Sequence, residues 1–563
     1  MKSTRPIRFV LAPLLACVLI GPTASASLAG SVTTGPLVTL DSTQKIHPLL
    51  QYGAQADPTS IVRVIVQKTR ADVQSSTIAA TVPGMQVSEN FQFTPAFVAT
   101  VPQTGVPALA LNASVRYVSP DAAVQVIPSV PRLPSKPAPR PPAPKPVAPP
   151  KTGFDAATLF TKFPLVSGAT SAWSGAATPD GHRFSGVNIA VAVIDSGVDQ
   201  NHPDVSGQVL AVNVNRNASG PADGYGHGTH VAAIINGHDA DGQYYGIAPS
   251  VTVISVKIAD DTGQAFESDL LRGLDWVRLN RDAYHIRAVN LSVSSGLASS
   301  YAVSPVDAAV ERLWHDNVTM VAAAGNLGAA TDATWYAPGN DPFVITVGCL
   351  DDNQTVATSD DSLCPISSRG VTQDGFAKPD LIAPGRKIES ALSAGIDGRG
   401  SILAGDFPDR ITADGEHIRL SGTSMSAPMV TGAIALLLQR HGGLQPNQLK
   451  QLLVNSASDY PGQPDGAGAL NIPAALVASD HAPSGDHYQP LPVGGTVPPS
   501  GSITLLWDGA RWGNAYFDGA RWGSAEWDGA RWGSASWNGA RWGSAYWNGA
   551  RWGGATWDDA TSD

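Results

Sequence analysis

The run Val187-Asn188-Ile189-Ala190-Val191-Ala192-Val193-Ile194 is apolar at every position but one and stops at Asp195-Ser196-Gly197. A strand with one wet face alternates apolar and polar residues; a strand without alternation is buried on both faces, the habit of parallel sheets covered by helices. This run therefore predicts an α/β layer architecture around it. In open α/β sheets functional residues collect just past the carboxyl ends of strands, which is where Asp195 stands, although an Asp there is also a common turn former.

At 563 residues the chain is too long for a single core and has to be divided. Lys2, Arg5 and Arg8 precede an apolar run over 9–20, followed by Gly21, Pro22 and the small-residue site Ala24-Ser25-Ala26. That pattern predicts a secretory signal peptide cut after Ala26. The run is short of the roughly 20 apolar residues a membrane span needs. A lipoprotein site at Leu14-Leu15-Ala16-Cys17 is disfavoured because Val18, Leu19 and Ile20 continue the apolar run. Residues 130–151 are Pro-rich and carry Arg132, Lys136, Arg140, Lys145 and Lys151 without an acid, which predicts an extended, protease-sensitive spacer. Residues 480–501 mix Pro, Gly, Ser and His and form a second spacer.

The expected divisions are a signal peptide at 1–26, a small α+β domain at 27–128, a Pro-rich linker at 129–152, an α/β domain at 153–479, a linker at 480–503 and a repeat tail at 504–563. In the α+β domain, 61–66, 97–101, 115–118 and 123–127 read as strands, and 106–113 as a short helix with Pro107 tolerated in its first turn. The tail repeats every ten residues, in units such as Trp527-Asp528-Gly529-Ala530-Arg531-Trp532-Gly533-Ser534-Ala535; its Asp-Gly and Asn-Gly pairs predict tight turns between short strands. A net charge of -11 gives no general attraction to nucleic acid or anionic lipid. Of the three Cys, Cys17 leaves with the signal peptide. Cys349 and Cys364 remain in an oxidising compartment, where one disulfide is the simplest reading and two buried thiols the other.

Three further segments carry chemistry. Asp223-Gly224-Tyr225-Gly226-His227-Gly228-Thr229-His230 sets an imidazole at a Gly-rich turn before an apolar helix, and His suits a proton shuttle near neutral pH. A zinc pair of His227 and His230 lacks the Glu of the metalloprotease pattern. Val321-Ala322-Ala323-Ala324-Gly325-Asn326 reads as a buried strand ending in an amide, either a turn residue or a donor into a cleft. Ser421-Gly422-Thr423-Ser424-Met425-Ser426-Ala427-Pro428 precedes an apolar helix over 429–439. Ser424 there is an N-cap, or a hydroxyl beside N–H groups that favour an oxyanion.

Taken together, Val193-Ile194-Asp195-Ser196-Gly197, His227-Gly228-Thr229-His230-Val231-Ala232, Ala323-Ala324-Gly325-Asn326 and Gly422-Thr423-Ser424-Met425-Ser426-Ala427-Pro428 resemble the subtilisin family of serine peptidases, in that order. Gly246-Ile247-Ala248-Pro249 and Lys378-Pro379-Asp380-Leu381-Ile382-Ala383-Pro384-Gly385 extend the resemblance over about 153–478. It implies a subtilisin-like parallel sheet flanked by helices, with a small α+β propeptide domain before it and a β-rich repeat tail after it. It also implies a secreted serine-type endopeptidase, with Asp195, His227 and Ser424 as triad and Asn326 as oxyanion donor. No cofactor is implied for catalysis.

By the same resemblance Ser292, Val293 and Ser294, within an edge strand over 289–294, would pair with an extended peptide substrate. The family's Leu-Gly-Gly is replaced by Val293-Ser294-Ser295-Gly296, and Leu327 follows Asn326 where some relatives carry an acid, which points to an apolar primary pocket. Asp204, Asp239 and Asp241 are candidate ligands of a structural calcium ion, although Ala240 holds the place of the family's usual Asn. The α+β domain resembles the family's inhibitory propeptides, so it would occupy the cleft until cut between 127 and 152. The expected partners are protein or peptide substrates, the propeptide itself and, through the tail, cell-surface polysaccharide; nucleic acid is not among them. The rival reading is a surface adhesion protein with an inactive peptidase domain, acting through its Trp-rich tail.

Overall fold

Two strand patterns in the sequence give two sheets. In the computed structural model the described residues are 44–126, 158–205, 207–460 and 465–482, with short strands in the tail. The expected signal peptide, the Pro-rich linker and most of the second linker and tail lie outside them.

In residues 44–126, strands β1 (Ile61–Lys68), β2 (Gln86–Asn90), β3 (Ala96–Pro102) and β4 (Val115–Pro120) form an antiparallel sheet in the order β2-β3-β1-β4. Helices α1 (Pro48–Ala56), α2 (Ser75–Ala79) and α3 (Val106–Leu111) accompany it. Pro107 lies in the first turn of α3, where its missing N–H interrupts no helical bond. The helix ends two residues short of expectation because Asn112 turns extended and its side chain accepts from Ser114 N–H. This sheet is apolar on both faces, as the period-2 rule allows. Val64, Val66, Phe97 and Ala99 pack into a core of their own with Leu109 and Val118, whereas the alternate residues Ile65, Ala96 and Val98 join the core of the larger unit.

β5 (Ala123–Val126) leaves this sheet for the larger unit. There the chain forms β6 (Ala190–Asp195), β7 (Val209–Asn213), β8 (Thr252–Lys257), β9 (Ala265–Phe266), β10 (Ile286–Leu291) and β11 (Val293–Ser295). It continues with β12 (Thr319–Ala323), β13 (Ile345–Asp351), β14 (Leu381–Pro384), β15 (Ile388–Ala391) and β16 (His417–Leu420). The central sheet runs parallel in the order β7-β8-β6-β10-β12-β13-β14, with Ser362–Leu363 added antiparallel to β13. β7 and β8 lie on one side of β6, and β10 and its successors on the other. The order therefore reverses at β6, and a crevice opens at its carboxyl end.

The helices on this sheet are α4 (His227–Asn236), α5 (Glu267–Asn280), α6 (Pro305–His315) and α7 (Thr423–Arg440). All of α4 and nearly all of α7 is buried, as helices apolar on every side must be. Two expectations shift, and the expected disulfide is present. The founding apolar run begins as a turn, with Asn188 at φ 64° and Ile189 N–H bonded to Gly186 O, so the strand starts at Ala190. Residues 289–291 are interior sheet rather than edge; only β11 is edge, and it pairs with β5. Cys349 and Cys364 are joined as a disulfide. In the tail, Ile503–Trp507 pairs antiparallel with Trp512–Phe517. Among the described residues no helix is long and apolar enough to cross a membrane.

Candidate active site

β6 delivers Asp195 to the crevice, and α4 opens with His227. The imidazole Nδ1 lies 2.8 Å and 3.0 Å from the two Asp195 carboxylate oxygens, both side chains being buried. A carboxylate only accepts, so Nδ1 carries a proton and Nε2 is the nitrogen left for another partner. Nε2 has no hydrogen-bond partner. This approach depends on Gly228, where a Cβ would come within 2.1 Å of Gly197 O and 3.2 Å of Asp195 Cβ.

Asp223 holds the two elements together. Its Oδ1 accepts from Gly226 N–H at 2.7 Å and Ser196 Oγ at 2.9 Å, and its Oδ2 from Thr229 N–H at 2.8 Å and Thr229 Oγ1 at 2.6 Å. Ser196 Oγ in turn accepts from Gly228 N–H at 2.9 Å. Complete burial pushes the Asp223 carboxyl above its ordinary pKa, against the pull of these donors. The sequence pattern by itself assigns Asp223 no role. An Asp just ahead of a helix is a capping signal, and that was the available clue.

Ser424 is not the N-cap of α7. Gly422, at φ 151°, holds that place and puts Ser424 inside the first turn. Its Oγ lies 3.4 Å from Ser292 O, while Ser292 Oγ donates to Ser424 O at 2.9 Å and accepts from Asn290 Nδ2 at 2.9 Å. α7 also packs against α4. Asn326 follows β12, and its Oδ1 accepts from Thr423 N–H at 3.0 Å. The Nδ2 is buried without a partner, and a Cβ on Gly422 would lie 3.0 Å from it. An amide fixed through its oxygen, with its N–H groups unspent beside a helix start, suits a developing negative charge.

Ser292 and Val293 are buried, Ser294 is half-buried, and Leu327 beside Asn326 is 51% exposed. Val293, Ser294 and Ser295 pair with Val126, Gln125 and Val124 of β5. The edge assigned to substrate is thus covered by the N-terminal unit. His230 faces away, its Nε2 3.1 Å from both Ile388 O and Ile418 O. Burial pushes it down to about 3, so it is a neutral donor whose Nε2 is taken up by main-chain carbonyls.

Residues 186–472 match the model of the subtilase family. The chain is 33% identical over 308 residues to the serine protease AprX of Bacillus subtilis, covering 52% of this chain and 67% of that protein. It is 31% identical over 295 residues to subtilisin E of the same organism, covering 52% of this chain and 66% of that one. The chain thus spans about two thirds of the length of these relatives. The crystal structure of fervidolysin from Fervidobacterium pennivorans, described as a keratinolytic enzyme related to subtilisin, aligns with a TM-score of 0.53 at 26% identity, covering 75% of this chain and 61% of that one.

Two of the expected calcium ligands, Asp204 and Asp239, are engaged by partners within the chain. Asp204 Oδ2 accepts from His417 Nε2 at 2.8 Å, and His417 Nδ1 donates to Asp414 Oδ2 at 3.0 Å. Asp239 Oδ1 accepts from the N–H groups of Gln243 at 2.7 Å and Tyr244 at 3.0 Å. The Tyr244 ring stacks on His417 with centroids 3.5 Å apart. Among the described residues no three His, Cys, Asp or Glu are grouped to hold a metal. With both ring nitrogens against carboxylates, His417 faces Asp204 as an imidazolium. Burial alone would lower the His417 pKa, but its hydrogen bonds to Asp204 and Asp414 outweigh it and push the ring up to about 9.

A raised folded-state pKa stabilises fully below the ordinary value of 6.5, and that stabilisation is lost as pH climbs through about 9. The thermal midpoint of the protein is expected to fall over this window and to be unmoved by a chelator. His417→Asn strips the cation from a buried pair and is expected to cost about 3–5 kcal/mol while flattening the alkaline slope. A lower midpoint on chelation, read by calorimetry, would contradict the ion-pair account.

Proposed function

The chain belongs to the subtilase family of serine-type endopeptidases, and on that premise we propose a secreted enzyme made as a self-inhibited precursor, with Asp195, His227 and Ser424 as triad. The observation that carries this reading is the buried 2.8 Å contact between Asp195 and His227 at the reversal of the sheet. In the proposed reaction Ser424 Oγ bonds to the scissile carbonyl carbon while its proton passes to His227 Nε2. Oxygen charge in the tetrahedral adduct is met by Asn326 Nδ2 and Ser424 N–H. The C–N bond then breaks as Nε2 returns the proton to the leaving amine, and water attacks the acyl ester by the same route. Asp195 keeps the imidazole in the Nδ1–H tautomer and stabilises its charged form. The hydrogen bond from Ser424 Oγ to His227 Nε2, which has no partner in the resting site, forms when substrate enters, since catalytic hydrogen bonds commonly close only in the complex.

The substrate is an extended peptide added to β11, with an apolar side chain beside Leu327. Residues 27–128, described over 44–126, are the proposed inhibitory prosegment. β5 fills the substrate edge, and several polar contacts dock the rest. Asp275 of α5 accepts from the N–H groups of Gln92, Phe93 and Thr94 at 2.8 to 3.3 Å and from Thr94 Oγ1 at 2.8 Å. Arg272 pairs with Glu89 at 2.6 Å, Ser268 N–H donates to Asp121 at 2.9 Å, and Arg278 lies 4.3 Å over the Phe93 ring. The Trp-rich tail is proposed to attach the enzyme to cell-surface polysaccharide.

Asn326→Ala is expected to lower kcat on a chromogenic peptide by about a hundred- to a thousandfold with little change in KM, the size known for the equivalent amide in subtilisin, a relative. Ser424→Ala is expected to retain the prosegment on a gel and to refuse a fluorophosphonate probe that labels the parent; prosegment loss in a pure preparation would rule out self-processing. Asp275→Ala is expected to weaken inhibition by added prosegment about tenfold or more, since the N–H groups of Gln92, Phe93 and Thr94 lose their shared carboxylate acceptor. An unchanged inhibition constant would remove α5 from the docking surface.

A further inference from the structure

Asn326 is held at its amide oxygen and at the backbone on either side of it, and the second hold lies outside the triad. Thr423 fixes its Oδ1, but Thr423 sits on α7 and says nothing about the backbone that carries the side chain. That backbone is gripped by residues 366–369. Ser368 N–H donates to Gly325 O at 2.9 Å, and Leu327 N–H donates to Ser368 Oγ at 3.0 Å, so a single serine bonds to both neighbours of Asn326. Outside these lie Gly328 N–H to Ile366 O at 2.9 Å and Arg369 N–H to Gly328 O at 3.1 Å. Gly325, at φ 97°, leaves room for the hydroxyl; a Cβ there would come within 2.9 Å of Ser368 Oγ.

The clamp is itself tied to the central sheet. Cys364 is bonded to Cys349 in β13, and its N–H donates to Cys349 O at 2.9 Å. Ser367 N–H donates to Cys364 O at 3.0 Å, and Ser367 Oγ accepts from Cys349 N–H at 3.0 Å. Ser367 and Ser368 are fully buried, so water offers no replacement for these bonds. An unbroken path thus runs from a buried strand, through a disulfide and two serines, to the peptide planes on either side of Asn326.

We propose that Ser368 is a positioning residue for the Asn326 oxyanion donor, with the Cys349–Cys364 disulfide anchoring it to the sheet. The proposal rests on the reading of Asn326 given above. An oxyanion donor works by being in place before charge develops, and displacements of about 1 Å cost roughly a hundredfold in rate. Ser368→Ala leaves Leu327 N–H without its acceptor and frees one flank of the donor. It is expected to lower kcat about tenfold, a fraction of what full removal of the donor costs, with KM within about twofold.

The deciding experiment is a double-mutant cycle in kcat on one peptide substrate, comparing the parent, Asn326→Ala, Ser368→Ala and the double variant. Positioning predicts that Ser368→Ala costs about tenfold in the parent and nothing further once Asn326 is gone. Ser368→Thr, which keeps the hydroxyl, should restore most of kcat. Equal losses in both backgrounds would mean a general structural role and overturn the proposal, as would an unchanged kcat in Ser368→Ala. If Asn326→Ala itself keeps kcat, the oxyanion reading fails and the proposal with it. Should Ser368→Ala not fold, the paired Cys349→Ser and Cys364→Ser variant is put through the same cycle against Asn326→Ala, with the same criteria.

Discussion

Burial of a carboxylate costs several kcal/mol unless its oxygens are satisfied, and this is the constraint from which the cleft is built. The donors to Asp223 come from two elements, Ser196 after β6 and Gly226 and Thr229 around the start of α4. The carboxylate is satisfied only when strand and helix stand in one relation. The approach of His227 to Asp195 is then a consequence of that relation, made possible by the absent Cβ at Gly228. α7 is set by its packing on α4, and Thr423 at its start reaches Asn326. Four loops far apart in sequence are thereby registered against one buried acid.

Much of this was legible because it is written locally. An apolar run that fails to alternate, an acid at its end, a Gly-rich turn before His227 and a small-residue run around Ser424 are each short-range signals. The family resemblance converts their order into an expected arrangement. What stayed hidden depends on distant partners. Asp204 has a carboxylate's affinity for cations, but its cation is His417, 213 positions away, and nothing near Asp204 announces it. Ser368 looks like any serine in a loop until Gly325 and Leu327 come alongside. Ser424 reads as a cap because polar residues favour helix starts, whereas Gly422 takes the cap with a conformation that side chains avoid. The apolar run reaches back to Val187, ahead of the true strand start at Ala190, because hydrophobicity does not register the left-handed turn at Asn188.

β5 lies between β11 on one side and β9 on the other. An occupant of this place therefore has hydrogen-bond partners along both edges, a demand that only a chain with both edges free can meet. In the proposed peptidase this favours segments already out of their own secondary structure, and it leaves discrimination among them to the side-chain pockets near Leu327.

The N-terminal sheet is apolar on both faces, with Val64, Val66 and Phe97 covered by its own helices and Ile65, Ala96 and Val98 covered only by the larger unit. Were the two to separate, the second face would meet water, and a unit of this size has little stability in reserve to bear that. A detached copy would spend part of its time open and would itself be cut, so dissociation drains into degradation rather than returning to the complex. The pleat of four strands would thus give activation a direction: a ratchet in which the inhibitor survives only while it inhibits.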